Sequence, residues 1–201
     1  MNQEAFLQRL AQKKMIASVK EAKVLEKALA ADVGAVVLSI GTIGVIHRYV
    51  DLFKEQNHAV FLHLERIGGI SQDREGMAYL ANSVKPTGIV TTKNSLVRLA
   101  KKMGLLTIQR LFLVDSDSIK SGIQSVNDTQ PDAVEIMPAL LPEFIREFRQ
   151  ELNCPIIAGG LLRDREQMVR ALEHGAIAVS LGNHQLWKEN LQHETNRHAS
   201  V

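Results

Sequence analysis

Short apolar runs alternate with longer segments of helical period from one end of the chain to the other. Successive βα units around a parallel sheet produce that pattern. Eight runs read as strands: MIASVK at 15–20, AVVLSI at 35–40, AVFLHLE at 59–65, GIVTT at 88–92, LLTIQRLFL at 105–113, AVEIMP at 133–138, PIIAGG at 155–160 and AIAVSLG at 176–182. Segments such as EAKVLEKALAA, DREGMAYLANSV, KNSLVRLAKKM, LPEFIREFRQEL and DREQMVRALEHG carry the helical period between them. Ser71 and Asp164 stand where N-caps belong, Pro142 at a first helical position, and Gly104 and Gly175 just past helix ends. Eight units predict a single small (β/α)₈ TIM-type barrel over residues 1–190, followed by a polar tail at 191–201. About 175 residues for eight units is near the lower size of that architecture. A doubly wound open sheet with fewer strands is the competing fold, and pairing of the first strand with the eighth would decide for the barrel.

In a barrel, alternate residues of each strand point inward and active sites gather at the C-terminal strand ends. In AVFLHLE, Val60, Leu62 and Leu64 form an apolar face suited to covering helices, which leaves Phe61, His63 and Glu65 pointing in. The same rule turns Lys20, Ser39, Thr107, Gln109, Glu135 and Ser180 inward and places Arg110 at the rim. So many buried polar groups cost stability unless each has a partner, and their convergence favours a binding site. The alternatives are a satisfied interior histidine at 63, a rim ion pair from Glu65 to Arg66 or Lys93, and solvated strand ends at Lys20 and Arg110.

Glycines add a second signal. Gly159 and Gly160 close strand 7, and Ser180, Gly182 and Asn183 close strand 8. Barrels commonly hold a phosphate between these two loops, where glycine lets backbone N–H groups approach the oxygens. Tight turns that need positive φ would also explain the glycines.

Composition narrows the classes. The 201 residues are 45% hydrophobic, enough for one sizeable core, and the formal net charge is only +2, so an anionic partner must meet a local patch. The lone cysteine, Cys154, excludes an internal disulfide framework and falls at the bottom of the barrel. No apolar run approaches the roughly 18 residues of a membrane span, and the N-terminus lacks an apolar secretion signal. A cytoplasmic setting is expected. His193 and His198 in HETNRH are five apart, which misses the four-residue spacing of a zinc helix, so no metal is expected.

The segments TTKNSLVRLAKKMGLLTIQRLFLVDSDSI at 91–119, PDAVEIMPALLPEFI at 131–145, PIIAGGLLRDREQM at 155–168 and GAIAVSLGNHQLW at 175–187 resemble the glycerol uptake operon antiterminator family, over nearly the whole chain from Met15 to Trp187. The resemblance implies a barrel that senses glycerol 3-phosphate and acts on the leader of a glycerol-utilisation messenger RNA to prevent premature termination. It implies glycerol 3-phosphate as effector, with no cofactor, held through Gly160, Ser180, Gly182 and Asn183, with Lys20, Glu65 and Glu135 reading the hydroxyls. Departures are His63-Leu64-Glu65-Arg66-Ile67 in place of an HIDLI-like strand, Lys20-Glu21 in place of lysine-aspartate, and Ser180-Leu181-Gly182 in place of an STS-like end. The alternative is an enzyme on a phosphorylated triose or sugar, with Glu65 or Glu135 as general base and Lys20 as electrophile or Schiff-base amine.

For RNA, the aromatic share of 4% argues against a stacking platform. Electrostatic contact remains. The densest basic segment is Lys93, Arg98, Lys101 and Lys102, the last three on one helix face. A homo-oligomer is compatible with this reading.

Overall fold

The computed structural model describes residues 1–194. Eight parallel strands close into a barrel in sequence order: β1 (Met15–Val19), β2 (Ala35–Leu38), β3 (Val60–His63), β4 (Gly88–Thr91), β5 (Leu106–Phe112), β6 (Ala133–Met137), β7 (Ile156–Gly159) and β8 (Ala178–Leu181). Closure is made by β1 against β8, with Met15, Ile16 and Ala17 opposite Val179, Ser180 and Leu181. The open-sheet alternative is thereby excluded.

Helix α1 (Gln3–Lys13) precedes the barrel, and α2 (Leu25–Leu29), α3 (Ile46–Glu55), α4 (Arg74–Tyr79), α5 (Asn94–Lys102), α6 (Ser116–Thr129), α7 (Pro142–Glu151) and α8 (Arg165–Glu173) follow the first seven strands. Their boundaries follow local chemistry. Asp164 caps α8 by accepting from Gln167 N–H, and Pro142 opens α7. Gly104 and Gly175 adopt φ of 76° and 110° just beyond α5 and α8, a conformation that glycine takes without a Cβ penalty. Ser71 is not the cap expected at α4. Asp73 accepts from Gly76 N–H at 2.9 Å, and Ser71 donates its hydroxyl to Asp73 instead. Gly76 presses so closely on Ser71 that a Cβ would lie 2.0 Å from the Ser71 carbonyl oxygen, which carries the chain past Ser71 before the helix begins.

Two apolar clusters build the core. Outer faces of the strands, such as Val60, Leu62, Val134 and Ile136, pack under the helices. The barrel interior holds Ile16, Ala35, Val37, Phe61, Val90, Ile108, Ala133, Ile157 and Ala178. Phe6 and Leu10 of α1 join this interior cluster, so α1 plugs the N-terminal end, with the Phe6 and Phe61 rings 4.8 Å apart. Gly88 makes room for that pair: a Cβ there would come within 2.5 Å of Phe61 Cε1 and 2.2 Å of Leu106 O.

After β8 the described residues form turns and no helix, so the eighth unit lacks the helix that a complete (β/α)₈ count implies. Trp187 fills that place, buried, with its indole N–H donating to Leu181 O at 2.9 Å. Leu191 is also buried in the outer cluster, and Glu194 pairs with Arg165. Packing therefore continues past residue 190; of the expected tail, residues 195–201 lie outside the described part. No helix of the described residues is long and apolar enough to cross a membrane.

Candidate functional site

At the C-terminal end of the barrel the strands surround a cavity of about 320 Å³. Its polar lining is Ser18, Lys20, Ser39, His63, Arg66, Arg110 and Ser180, and its apolar lining includes Phe112, Met137, Leu161 and Leu162. Gly160 and Gly182 complete the wall on the side of β7 and β8. Among the described residues, three cations and no carboxylate line this space.

Beneath it lies a connected set of charges. Glu135 and Arg110 are register partners on β6 and β5. Arg110 donates from Nε and Nη2 to Glu135 Oε2, both at 2.8 Å, in a pair that is almost fully buried. The remaining Nη1 points to the His63 ring, 3.2 Å from Nδ1. The same Nη1 is 3.4 Å from Nε2, so it lies against both ring nitrogens, and Nε2 also faces Glu65 Oε2 at 3.5 Å. Ser39 Oγ, 3.3 Å from Nδ1, is the second group on that nitrogen. Burial, and then the Arg110 charge, push the His63 pKa down to about 4, so the ring is neutral at pH 7. Glu65 is held at Oε1 by Thr91 Oγ1 at 2.5 Å, Thr92 N–H at 3.0 Å and Thr92 Oγ1 at 3.3 Å. Burial raises its pKa, but the hydrogen bonds from Thr91 and Thr92 together outweigh that and leave it below the usual carboxylate value.

Of the glycines at the ends of β7 and β8, Gly160 takes the positive φ of a tight turn and Gly159 and Gly182 do not. Gly160 has φ of 79° and Leu161, unusually for a side-chain-bearing residue, 62°. Lys20 lies across Gly182, whose missing Cβ would stand 3.4 Å from Lys20 Cε.

Of the residues singled out by sequence, Lys20, Ser39, His63, Arg110, Gly160, Ser180 and Gly182 line the cavity. Glu65 and Glu135 lie behind it, and Gly159 packs against Glu135. Asn183 is exposed beyond the rim, and its side chain accepts from Gln185 N–H in a local turn. Gln109 and Thr107 do not point inward. Ile108 and Arg110 occupy the inner face of β5, while Gln109 bonds outward to Asn94, Ser125 and Thr129, and Thr107 to Asp132. Polar partners on α5 and α6 satisfy that face, so its polarity gave the wrong phase. Ser18, Arg66, Phe112 and Met137 escaped the sequence reading. Ser18 was findable, since it is in step with Lys20.

Elsewhere, Arg98, Lys101 and Lys102 are exposed on α5, although Lys101 donates to Gln130 O, and Lys93 at the helix start donates to Gln72 Oε1 at 2.7 Å. Cys154 is buried two residues before β7, and burial, followed by the Asp132 charge, pushes its thiol up to about 12. Among the described residues no cluster of His, Cys, Asp and Glu could hold a metal, and His198 of the HETNRH segment lies outside them.

Residues 15–187 match the family described as glycerol-3-phosphate responsive antiterminator. The chain is 30% identical over 182 residues to the Uncharacterized protein YgcP of Escherichia coli (strain K12), covering 90% of this chain and 95% of that protein. A crystal structure of the glycerol uptake operon antiterminator regulatory protein from Listeria monocytogenes str. 4b F2365 superposes with TM-score 0.84 at 30% identity, over 89% of this chain and 96% of the other. A glycerol uptake operon antiterminator-related protein from Thermotoga maritima MSB8 superposes with TM-score 0.77 at 24% identity, over 88% and 99%.

Proposed function

Because the chain belongs to the glycerol-3-phosphate responsive antiterminator family, we propose that its barrel mouth binds glycerol 3-phosphate and that the liganded protein acts on the leader messenger RNA of a glycerol-utilisation operon, in the cytoplasm. The observation that carries this reading is the cavity lining: Lys20, Arg66 and Arg110 with no carboxylate among them, in a space sized for a small ligand. A phosphate between the Gly160 and Gly182 loops would lie beside Lys20, and Arg66 adds charge from the opposite rim. No cofactor or metal enters this scheme; the phosphorylated polyol is the effector.

The geometry favours binding over turnover. A general base needs a carboxylate at the substrate, whereas Glu135 and Glu65 stay out of the cavity lining, Glu135 Oε2 taken by Arg110 and Glu65 Oε1 by Thr91 and Thr92. Lys20 is exposed, unlike the desolvated amines that form Schiff bases. For ligand to change RNA affinity it must bind two states of the protein unequally, and α5 with Arg98, Lys101 and Lys102 is the surface we assign to RNA.

Calorimetry with glycerol 3-phosphate, set beside filter binding to leader RNA with and without it, tests the reading. Saturable binding that Lys20→Ala weakens, with RNA retention altered by ligand, is the expected result. Absence of binding, or turnover of a triose or pentose phosphate, would overturn it.

A further inference from the structure

Of the eight large apolar side chains exposed among the described residues, five stand at the C-terminal ends of three neighbouring strands: Phe112 and Val114 after β5, Leu140 and Leu141 after β6, and Leu161 after β7. They form one patch along that side of the barrel mouth. Apolar side chains gathered in this way on a surface mark a contact with another molecule. Val114 is 83% exposed and makes a knob, flanked in sequence by the exposed Asp115 and Asp117. Beside Leu140 the surface dips into a hollow of about 240 Å³ lined by Ala139, Leu140, Pro142, Gln167 and Arg170. One cation and no carboxylate belong to that lining; Glu143 and Glu166 stand outside it. Leu161 is 62% exposed although its φ of 62° is strained for a residue with a Cβ, and nothing it touches within one copy of the chain offsets that strain by burying it.

We propose that this patch is a self-association face and that its occupant is a second copy of the chain. A knob flanked by acids and a hollow walled by a cation lie on the same face, which is what a two-fold contact requires. Each copy offers its knob to the hollow of the other, and both contacts form at once. The charges then oppose one another in the right sense and fix the register. RNA suits the face poorly, because Asp115 and Asp117 repel phosphates. The patch also reaches the ligand site, since Phe112 and Leu161 line the cavity as well. A copy seated here stands over the edge of the mouth. The consequence for the ligand rests on the glycerol 3-phosphate reading above: two mouths, each lined by Lys20, Arg66 and Arg110, repel when empty, and a bound phosphate cancels that charge. Ligand therefore strengthens the dimer and, by linkage, the dimer strengthens ligand binding.

Sedimentation velocity over a concentration series tests the face without ligand and the linkage with glycerol 3-phosphate added. The wild type should pass from monomer to dimer, at lower protein concentration when ligand is present. Val114→Lys should raise the dimer dissociation constant by at least about tenfold. Asp117→Arg and Arg170→Asp should each weaken the dimer by about tenfold by setting like charges opposite one another, and the double variant should recover most of the loss. These three side chains are exposed, so thermal midpoints measured at monomeric dilution should stay near the wild-type value and separate a lost contact from a lost fold. A wild type that stays monomeric at its highest soluble concentration with and without ligand would overturn the face, as would a double variant no tighter than the singles. A ladder of larger species in place of a dimer would overturn the two-fold contact. A monomer whose retention of leader RNA falls in Val114→Lys would give the patch to RNA instead. Dimerisation indifferent to a ligand that calorimetry shows to bind would overturn the linkage and leave the face standing, whereas absence of calorimetric binding would remove the glycerol 3-phosphate reading and the linkage with it, the ligand-free series still deciding the face.

Discussion

The interior of the barrel has two halves of opposite character. The N-terminal half is filled by Phe6, Leu10, Ile16, Val37, Phe61, Val90, Ile108 and Ile157, apolar side chains that interlock with small residues at 35, 88, 133 and 178. The C-terminal half carries Glu135, Arg110, His63, Glu65 and three serines around an open space. One half is closed by its own side chains; the other holds polar atoms with no partner. Stability is concentrated below and recognition above, and α1 makes the division possible by sealing the lower end so that no polar group is required there.

Phe61→Ala should have the largest effect on this division. It deletes a fully buried ring packed on Phe6, and a loss of about 3–5 kcal/mol is expected from the cavity left behind. Urea denaturation checks the size. Affinity for glycerol 3-phosphate in the folded fraction should hardly change; a parallel loss of affinity would show that the halves are mechanically one. Next comes Thr91→Val, which removes the 2.5 Å hydrogen bond to Glu65 Oε1 with little change of shape. About 1–3 kcal/mol is expected, with Glu65 titrating at higher pH in the variant by NMR. An unmoved titration would mean that Thr92 alone holds the carboxylate.

The upper half should also be the acid-sensitive one. His63 is neutral in the fold, and protonating it places a second charge against Arg110 and near Arg66 and Lys20, offset in part by Glu65. A base whose pKa is depressed on folding contributes stability that is fully present above its unfolded value and is lost as pH falls. The window here runs from about 6.5 down to about 4. Glu65, depressed in the carboxylate range, adds a further loss as pH falls through its own folded value. Thermal midpoints across this range should fall less steeply in His63→Gln than in the wild type. Identical slopes would assign the acid sensitivity to other groups.

The two halves were unequally legible in the sequence. On β3, Val60 and Leu62 are apolar and face the helices while Phe61 and His63 face in, as alternation predicts; the strand ends at His63, and Glu65 falls in the 3-10 turn Leu64–Arg66 beyond it, outside the cavity lining. On β5 both faces carry polar residues. Thr107 and Gln109 looked like the inner set because nothing local reveals that Asn94, Ser125 and Thr129 await Gln109 on the helices and Asp132 awaits Thr107 just before β6. Arg110 and Glu135 are the ionisable residues of neighbouring strands and pair because their register puts both on one face, here the inner one. The closing turn at Trp187 is non-periodic in sequence, because an indole anchored on Leu181 O replaces the expected helix.

The smallest effect on stability is expected outside the barrel altogether, on α5. Arg98, Lys101 and Lys102 are exposed, and Lys101 donates to the backbone acceptor Gln130 O. Replacing all three by alanine removes solvated charges from a surface helix face, where substitutions usually shift stability by less than about 0.5 kcal/mol each. Glycerol 3-phosphate binding should survive, because no residue of this face lines the cavity. If the face meets RNA phosphates, each lost contact removes counterion release, and the dependence of RNA affinity on salt should flatten by up to about three units of slope. Lys101 contributes less than a full unit where its amine stays on Gln130. Filter binding to the leader RNA over a range of salt concentrations reads the slope directly. An unaltered slope in a triple variant that still binds glycerol 3-phosphate would move the RNA surface off α5 while leaving the ligand site in the upper half of the barrel untouched.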